Sequence, residues 1–149
     1  MTKEELLQQF AAAYEQLIAT ASQAAQHGIT NQPDGLGPRE TVAHMAGWEI
    51  MATVRIPAVI AGMPPIKYLN ETQATVMDNA LNAAFVALIG EQPLEPLSAL
   101  LRQAYQRVLE LLKPLDDTYF QPGQYIYEHT REAIEHCQGH MEMLTTAFA

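Results

Sequence analysis

The sequence predicts an all-α protein in which four long helices and one shorter helix pack as a bundle. Five segments place apolar residues at steps of three and four, the period of an amphipathic helix. Breaks rich in glycine and proline separate these segments. No segment alternates with the period of two that indicates a β-strand, so we expect no sheet. Modest loops between long helices favour a bundle.

The first two helices have clear start signals. The first is predicted over residues 3–26, where Thr2 and Glu5 form a capping-box pattern that satisfies free backbone N–H groups. The second is predicted over residues 39–60. Because it is apolar on most sides, we expect it to be largely buried. Pro57 lies in its last turns and is expected to kink it or to end it early.

Three further helices follow after proline and glycine breaks. They are predicted over residues 73–89, 94–113 and 126–148. The last helix carries an apolar stripe at helical steps that includes Cys137, which we interpret as a small core residue. The shorter helix at 73–89 is expected to turn five side chains inward: Val76, Leu81, Ala84, Phe85 and Leu88.

Composition and charge limit the classes of binding partner and the cellular compartment that we expect for this chain. A length of 149 residues predicts one domain over residues 1–149. The net charge of -9 argues against nucleic acid, since phosphate binding needs clustered Lys and Arg. No run is apolar for the ~18 residues of a membrane span, and the N-terminus lacks the apolar core of a signal peptide. A single cysteine excludes an internal disulfide and favours a cytoplasmic location.

A pair of histidines in the last predicted helix has the spacing of metal ligands. His136 and His140 lie four residues apart, so their rings stand one above the other on one helix face. Both nitrogens would then reach one ion at about 2.0–2.1 Å. The apolar stripe is centred roughly 100° away, which puts the pair at the flank of the buried face. The alternative is two ordinary surface histidines that share a face.

His44 is the candidate third ligand. It lies in the apolar second helix, where a lone histidine is costly unless it has a partner. A core histidine that hydrogen-bonds a backbone carbonyl is the alternative interpretation. Three histidines from two helices would leave metal positions open to water or substrate, which is the arrangement of catalytic rather than structural sites.

Five further residues are candidates for a substrate pocket beside these histidines. Trp48, Met51 and Tyr127 would shape the pocket, with Trp48 and Met51 on the same strip of the second helix as His44. Arg55 would bind an anionic group, or else extend past the end of the bundle or pair with an acid. His129 lies about 10 Å from His136 along the helix, too far for the same ion. It would line the mouth of the site or remain a solvated histidine.

Other chemistry has little support in the sequence. The chain has no phosphate-binding glycine loop and no dinucleotide fingerprint. It has no nucleophile elbow, and no repeated Glu-x-x-His pattern of a di-iron bundle. No residue stands out in the sequence as a general base.

The order of these motifs resembles the DinB/YfiT-like family of metalloenzymes. The resemblance rests on His44 followed by Trp48 in the second helix, and on His136-x-x-x-His140 in the last. It covers nearly the whole chain. It implies a four-helix bundle with an additional short helix in the crossover, and a divalent metal ion, commonly zinc or nickel, held by the three histidines. The chain departs from the family pattern at Gly37, where a hydroxyl-bearing cap is common, and at Met143, where glutamine is common.

The resemblance implies a class of chemistry more than a substrate. We expect a metal-dependent enzyme acting on a small molecule, either a hydrolase or a thiol S-transferase in stress response or detoxification. A low-molecular-weight thiol would be its partner. The alternative is a non-catalytic, stress-related binding protein that holds a small ligand or a partner in the bundle groove. Homodimerisation through an exposed helix face is also consistent with the sequence.

Overall fold

The chain is all-helical over the residues that the structure describes. This computed structural model describes residues 1–30 and 36–148 and the backbone, but not the side chain, of Phe148. Within them there is no β-strand, which confirms the predicted all-α class. The elements are α1 (Lys3–Gln26), α2 (Pro38–Ile60), α3 (Glu71–Ile89), α4 (Leu94–Leu112), a 3-10 helix (Asp117–Phe120) and α5 (Tyr125–Phe148). The predicted loop at 29–37 falls partly on residues 31–35, outside the described residues.

Local signals explain the ends of the first two helices. Thr2 and Glu5 form the predicted capping box at the start of α1. Gly37 offers no side-chain cap to α2, and Pro38 occupies its first turn. Pro57 does not end α2 early, so that half of the expectation is wrong, and the kink stays a prediction. The backbone N–H of Ala61 bonds to the Pro57 carbonyl at 3.0 Å, and this bond keeps the last turn closed.

Four helices share one hydrophobic core. α2 packs most extensively against α4, and α1 packs most extensively against α5. The two pairs meet mainly through α1, while the backbones of α2 and α5 approach each other at few positions. The largest buried side chains include Tyr14, Phe10, Leu17, Met45, Ile56 and Leu101. The seam between α2 and α5 is therefore filled by side chains rather than by close backbone packing.

α3 lies outside this core and packs mainly against α2. No residue of α3 is buried, so the predicted inward face is wrong for Val76, Ala84 and Leu88, with Val76 65% and Leu88 81% exposed. Leu81 and Phe85 are half-buried. The reason is that α3 has one main neighbour, so only a narrow line of its side chains is covered.

No helix within the described residues is long and apolar enough to cross a membrane. The longest helices, α1 and α5, have 24 residues each, but both carry polar faces. This agrees with the sequence, which shows no long uncharged apolar run.

Packing of α3 on α2 depends on Gly47. A Cβ at this position would lie 2.2 Å from Cγ of the Phe85 ring. We expect Gly47→Ala to lower the free energy of unfolding by about 1–3 kcal/mol, because the ring must move. Urea unfolding measures this. Gly139→Ala in α5 is the matched control, since nothing lies within 4 Å of its Cβ. It should raise stability by roughly 0.5–1 kcal/mol. A similar gain for Gly47→Ala would contradict the packing.

Candidate metal centre and adjoining cavity

The structure brings the three predicted histidines together across the seam between α2 and α5. The Nε2 atom of His136 lies 3.1 Å from Nε2 of His44 and 3.0 Å from Nε2 of His140. Nitrogens bound to one ion at about 2.0–2.1 Å and about 90–110° apart lie roughly 2.8–3.4 Å from each other. The His136 separations therefore fit ligands that share an ion, and they equally fit N–H···N hydrogen bonds between the rings of the metal-free cluster. One ligand atom from each histidine lies within 4.8 Å of the others.

The cluster is more open on one side than on the other. His44 is 3% exposed and His140 is 9% exposed, whereas His136 is less buried than either. Three protein ligands leave at least one position of a tetrahedral ion for water or substrate. The side of His136 is where such a ligand would enter.

Electrostatics keep the imidazoles in the form that binds metal. Burial lowers the pKa of His44 to about 3, and the neighbouring His136 and His140 contribute further. Burial and the neighbouring His140 lower the pKa of His136 to about 4. Both rings are therefore neutral at pH 7, with a lone pair for an ion. Nδ1 of His44 is buried and has no hydrogen-bond partner among the described residues.

A cavity of about 350 Å³ adjoins the cluster on the His136 side. Its wall includes Trp48, Glu49 and Arg55 from α2, and His129 and His136 from α5. The seam between α2 and α5 thus holds both the histidine cluster and a space of the size that small ligands occupy.

Three of the five predicted pocket residues line this cavity. Trp48, Arg55 and His129 lie on its wall, whereas Met51 and Tyr127 are not part of its lining, which corrects that expectation. Helix geometry gives the reason. Met51 lies within about 60° of Trp48 and Arg55 around α2, but on the side away from the lining residues Glu49 and Ala52. Tyr127 lies two residues before His129, about 200° around α5, and packs against the core.

Trp48 forms a fixed wall of the cavity. Its Nε1 donates a hydrogen bond to Oδ1 of Asn82 in α3 at 2.6 Å. Its ring meets the edge of the Phe85 ring, with centroids 5.5 Å apart. The Arg55 guanidinium lies 5.9 Å from the centroid of the indole, within the range of a cation–π contact. α3 therefore contributes to the site indirectly, by holding the tryptophan.

His129 is not the solvated histidine that the sequence allowed. Its Nε2 is buried and has no hydrogen-bond partner among the described residues. Burial lowers its pKa to about 4, and the nearby Arg55 cation contributes. The Tyr125 ring stacks on it with a centroid distance of 6.0 Å. His129 is thus a neutral imidazole on the cavity wall.

Sequence reasoning missed Glu49, which is the one buried acid among the described residues. Glu49 is 2% exposed, and its Oε1 accepts a hydrogen bond from the Tyr14 hydroxyl. Its Oε2 is buried and has no hydrogen-bond partner in the part of the chain that the structure describes. Burial raises the pKa of Glu49 to about 7, although the Tyr14 hydrogen bond opposes the shift. An acid in the apolar middle of a helix was the available signal, of the same kind as the one that singled out His44.

Tyr14 and Cys137 surround this carboxyl with groups that stay protonated. Burial, followed by the nearby Glu49, raises the pKa of the Tyr14 phenol well above its usual value. The same two causes raise the pKa of the Cys137 thiol. Cys137 is fully buried in the core, in keeping with its interpretation as a packing residue.

We expect the metal-free protein to lose stability as the pH falls from about 6.5 to 5. His44, His129 and His136 have lowered pKa values in the folded state, so the unfolded chain binds more protons in this window. Glu49 acts in the opposite direction, because its folded pKa is raised. Urea unfolding in the presence of a chelator measures the trend. Glu49→Gln should make the decline steeper, and a flat wild-type profile would contradict the burial of these rings.

Comparison with known proteins does not assign the chain to a family. No family profile matches the sequence, and no curated protein or solved structure is significantly similar to it. Likeness to the DinB/YfiT-like proteins therefore stays a prediction from the pattern of His44, Trp48, His136 and His140. The function proposed below is based on the geometry of the site and on that pattern.

Proposed function

We propose that this protein is a metal-dependent enzyme that acts on a small molecule. The observation that carries the proposal is the convergence of the Nε2 atoms of His44, His136 and His140 beside a cavity. The donor set fits zinc or nickel, since both bind neutral imidazole. A bound ion would polarise a substrate or lower the pKa of a water or thiol ligand.

Within this proposal the fold is the DinB-like bundle. Its support is the order and packing of the helices. α1, α2, α4 and α5 supply the core, and α3 lies in the connection between α2 and α4. The two ligand-bearing helices are α2 and α5, as the resemblance implies.

Arg55 and Trp48 would select and orient the substrate. The Arg55 guanidinium has no acidic partner within ion-pair distance among the described residues, and it lies on the cavity wall. A cation in such a position favours an anionic group, and the flat face of Trp48 favours apolar atoms. A small substrate with a carboxylate fits both when that carboxylate lies at Arg55, because Glu128 and Glu132 on the same wall would repel it elsewhere. Low-molecular-weight thiols that carry carboxylates belong to this class, so we propose a thiol S-transferase or a hydrolase in stress response or detoxification.

A second candidate is a non-catalytic, stress-related binding protein. It is favoured by the Nδ1 atom of His44, which has no hydrogen-bond partner among the described residues. Metal-binding histidines usually donate their second N–H to a carboxylate, carbonyl or water. On this alternative the cavity holds a small ligand and the histidine cluster needs no ion.

Metal content separates the two candidates. We expect one zinc or nickel ion per chain after purification and dialysis, measured by elemental analysis. His140→Ala should abolish binding without loss of helicity, because two imidazoles rarely hold an ion tightly. His129→Ala is the matched control on the same helix and should keep the ion. Equal metal content in His140→Ala and the wild type would contradict the three-histidine site.

We also propose that the protein self-associates through the exposed apolar side chains of α3. Val76 and Leu88 are the most exposed of them. Apolar surface of this kind on a soluble protein marks a contact site when it is contiguous. We expect sedimentation at micromolar concentration to show a dimer, and the double variant Val76→Asp, Leu88→Lys to be monomeric with unchanged helicity. A monomeric wild type would contradict this proposal.

A further inference from the structure

Glu49 is a buried ionisable group that has no role in the metal site proposed above. It lies on α2 five residues after His44, on the wall of the cavity that also contains His136. It is not one of the three residues whose donor atoms converge. Glu49 is 2% exposed, and one of its carboxyl oxygens, Oε2, has no hydrogen-bond partner within residues 1–30 and 36–148.

A carboxyl group is an unfavourable choice for this place if its role is only structural. A buried polar atom without a partner destabilises the fold, and a buried carboxylate does so more strongly. A glutamine would have nearly the same shape and would carry no charge. Packing alone therefore does not explain why an ionisable glutamate rather than a glutamine occupies position 49.

The Tyr14 side chain holds the carboxyl from the side of α1. Its hydroxyl donates to Oε1 of Glu49. The Tyr14 ring is fixed in turn by stacking on Tyr105, with centroids 5.3 Å apart and an interplanar angle of 7°. Phe10 meets it edge to face at 5.1 Å. With Oε1 engaged by a rigid partner, Oε2 is the carboxyl oxygen of this cavity-lining residue that has no partner among the described residues.

The other groups around the cavity are poorer proton acceptors. The titratable and charged groups around Glu49 are Tyr14 on α1, Arg55 on α2, and Tyr125, Glu128, His129, Glu132, His136 and Cys137 on α5. Tyr125 keeps its proton because burial raises its pKa. Glu128 is a weaker base, since a backbone hydrogen bond from Gly123 and its pairing with Arg131 lower its pKa. Tyr14 and Cys137 keep their protons, because burial raises the pKa of each. His129 is a weak base, since burial lowers its pKa to about 4. His136 is a proposed metal ligand, and Glu132 is exposed to solvent.

We propose that Glu49 is the general base and general acid of this site, acting through Oε2 on a small nucleophile that carries a removable proton. This inference rests on the proposed metal-dependent function. The X–H bond of the nucleophile, a water or a thiol, breaks and its proton passes to Oε2. The electron pair left on X forms a bond to an electrophilic carbon. The leaving group departs with its bonding pair and takes the proton back from Glu49, which restores the carboxylate.

Tyr14 is a positioning residue in this scheme. Its hydrogen bond stabilises the carboxylate and so holds the pKa of Glu49 lower than burial alone would. Tyr14→Phe removes the hydroxyl and leaves the ring. It should therefore raise the pH at which Glu49 loses its proton, while a purely structural role would leave the pH profile in place.

The closing experiment compares the zinc-loaded wild type with Glu49→Gln. Two probes represent the two nucleophiles: p-nitrophenyl acetate for water, and glutathione with 1-chloro-2,4-dinitrobenzene for a thiol. In whichever reaction the wild type catalyses, Glu49→Gln should lose about 10²–10⁴-fold in kcat and keep its ion. Glu135→Gln, an exposed acid beside His136 on α5, is the matched control and should keep full activity. Glu49→Asp should recover part of the loss.

A second readout does not depend on turnover. A carboxyl group that loses its proton near pH 7 gives a carbonyl stretching band in the infrared difference spectrum, and ordinary surface carboxyl groups do not titrate there. We expect this band in the difference between pH 6 and pH 8 for the metal-loaded wild type, and its loss in Glu49→Gln. A band that is unchanged in Glu49→Gln, or a Glu49→Gln variant with more than a tenth of wild-type activity, would overturn the base role alone. A zinc-loaded wild type that is inactive with both probes would overturn the proposed enzymatic function and the base role with it.

Discussion

The convergence of three imidazole nitrogens between α2 and α5 is the constraint on which the rest of the site depends. His136 stands within 3.1 Å of both of its neighbours through Nε2. This is possible because the helices pack as two tight pairs, α1 with α5 and α2 with α4. The ligand-bearing helices then belong to different pairs, and the space between their backbones is wide enough for side chains that meet end to end.

α2 carries two buried ionisable groups that are costly to bury, and burial shifts their pKa values in opposite directions. Burial lowers the pKa of His44 to about 3 and raises that of Glu49 to about 7. Each shift keeps a buried group neutral over part of the pH range. For Glu49 the shift corresponds to roughly 3 kcal/mol against the charged form. The apolar residues of α2 offset this cost, since Val42, Met45 and Ile56 are fully buried.

Sequence periodicity predicted the helices and the histidine cluster well, because both depend on spacing along one chain segment. The four-residue step from His136 to His140 needs no knowledge of packing, and His44 was conspicuous in an apolar helix. For α3, periodicity alone did not predict which side chains are buried. An apolar stripe indicates which side chains share a face, but not whether another helix covers them, and Leu88 is left exposed.

The cavity residues were predicted less well for a related reason. Met51 lies on the same strip of α2 as Trp48, but at the edge of that strip away from the lining residues Glu49 and Ala52. Glu49 has no acidic or basic companion at helical spacing, and its partner Tyr14 lies 35 residues away on α1. A pairing between distant segments leaves no periodic signal, so only the packed structure connects the two.

The most direct test of the metal centre is a crystal structure of the zinc-loaded protein, with anomalous data collected at the zinc edge. We expect one ion bound by Nε2 of His44, His136 and His140 at about 2.0–2.1 Å. Its remaining position would face the cavity beside His136. An ion bound elsewhere, or a His44 ring turned more than about 6 Å away from the other two histidines, would contradict the three-histidine site.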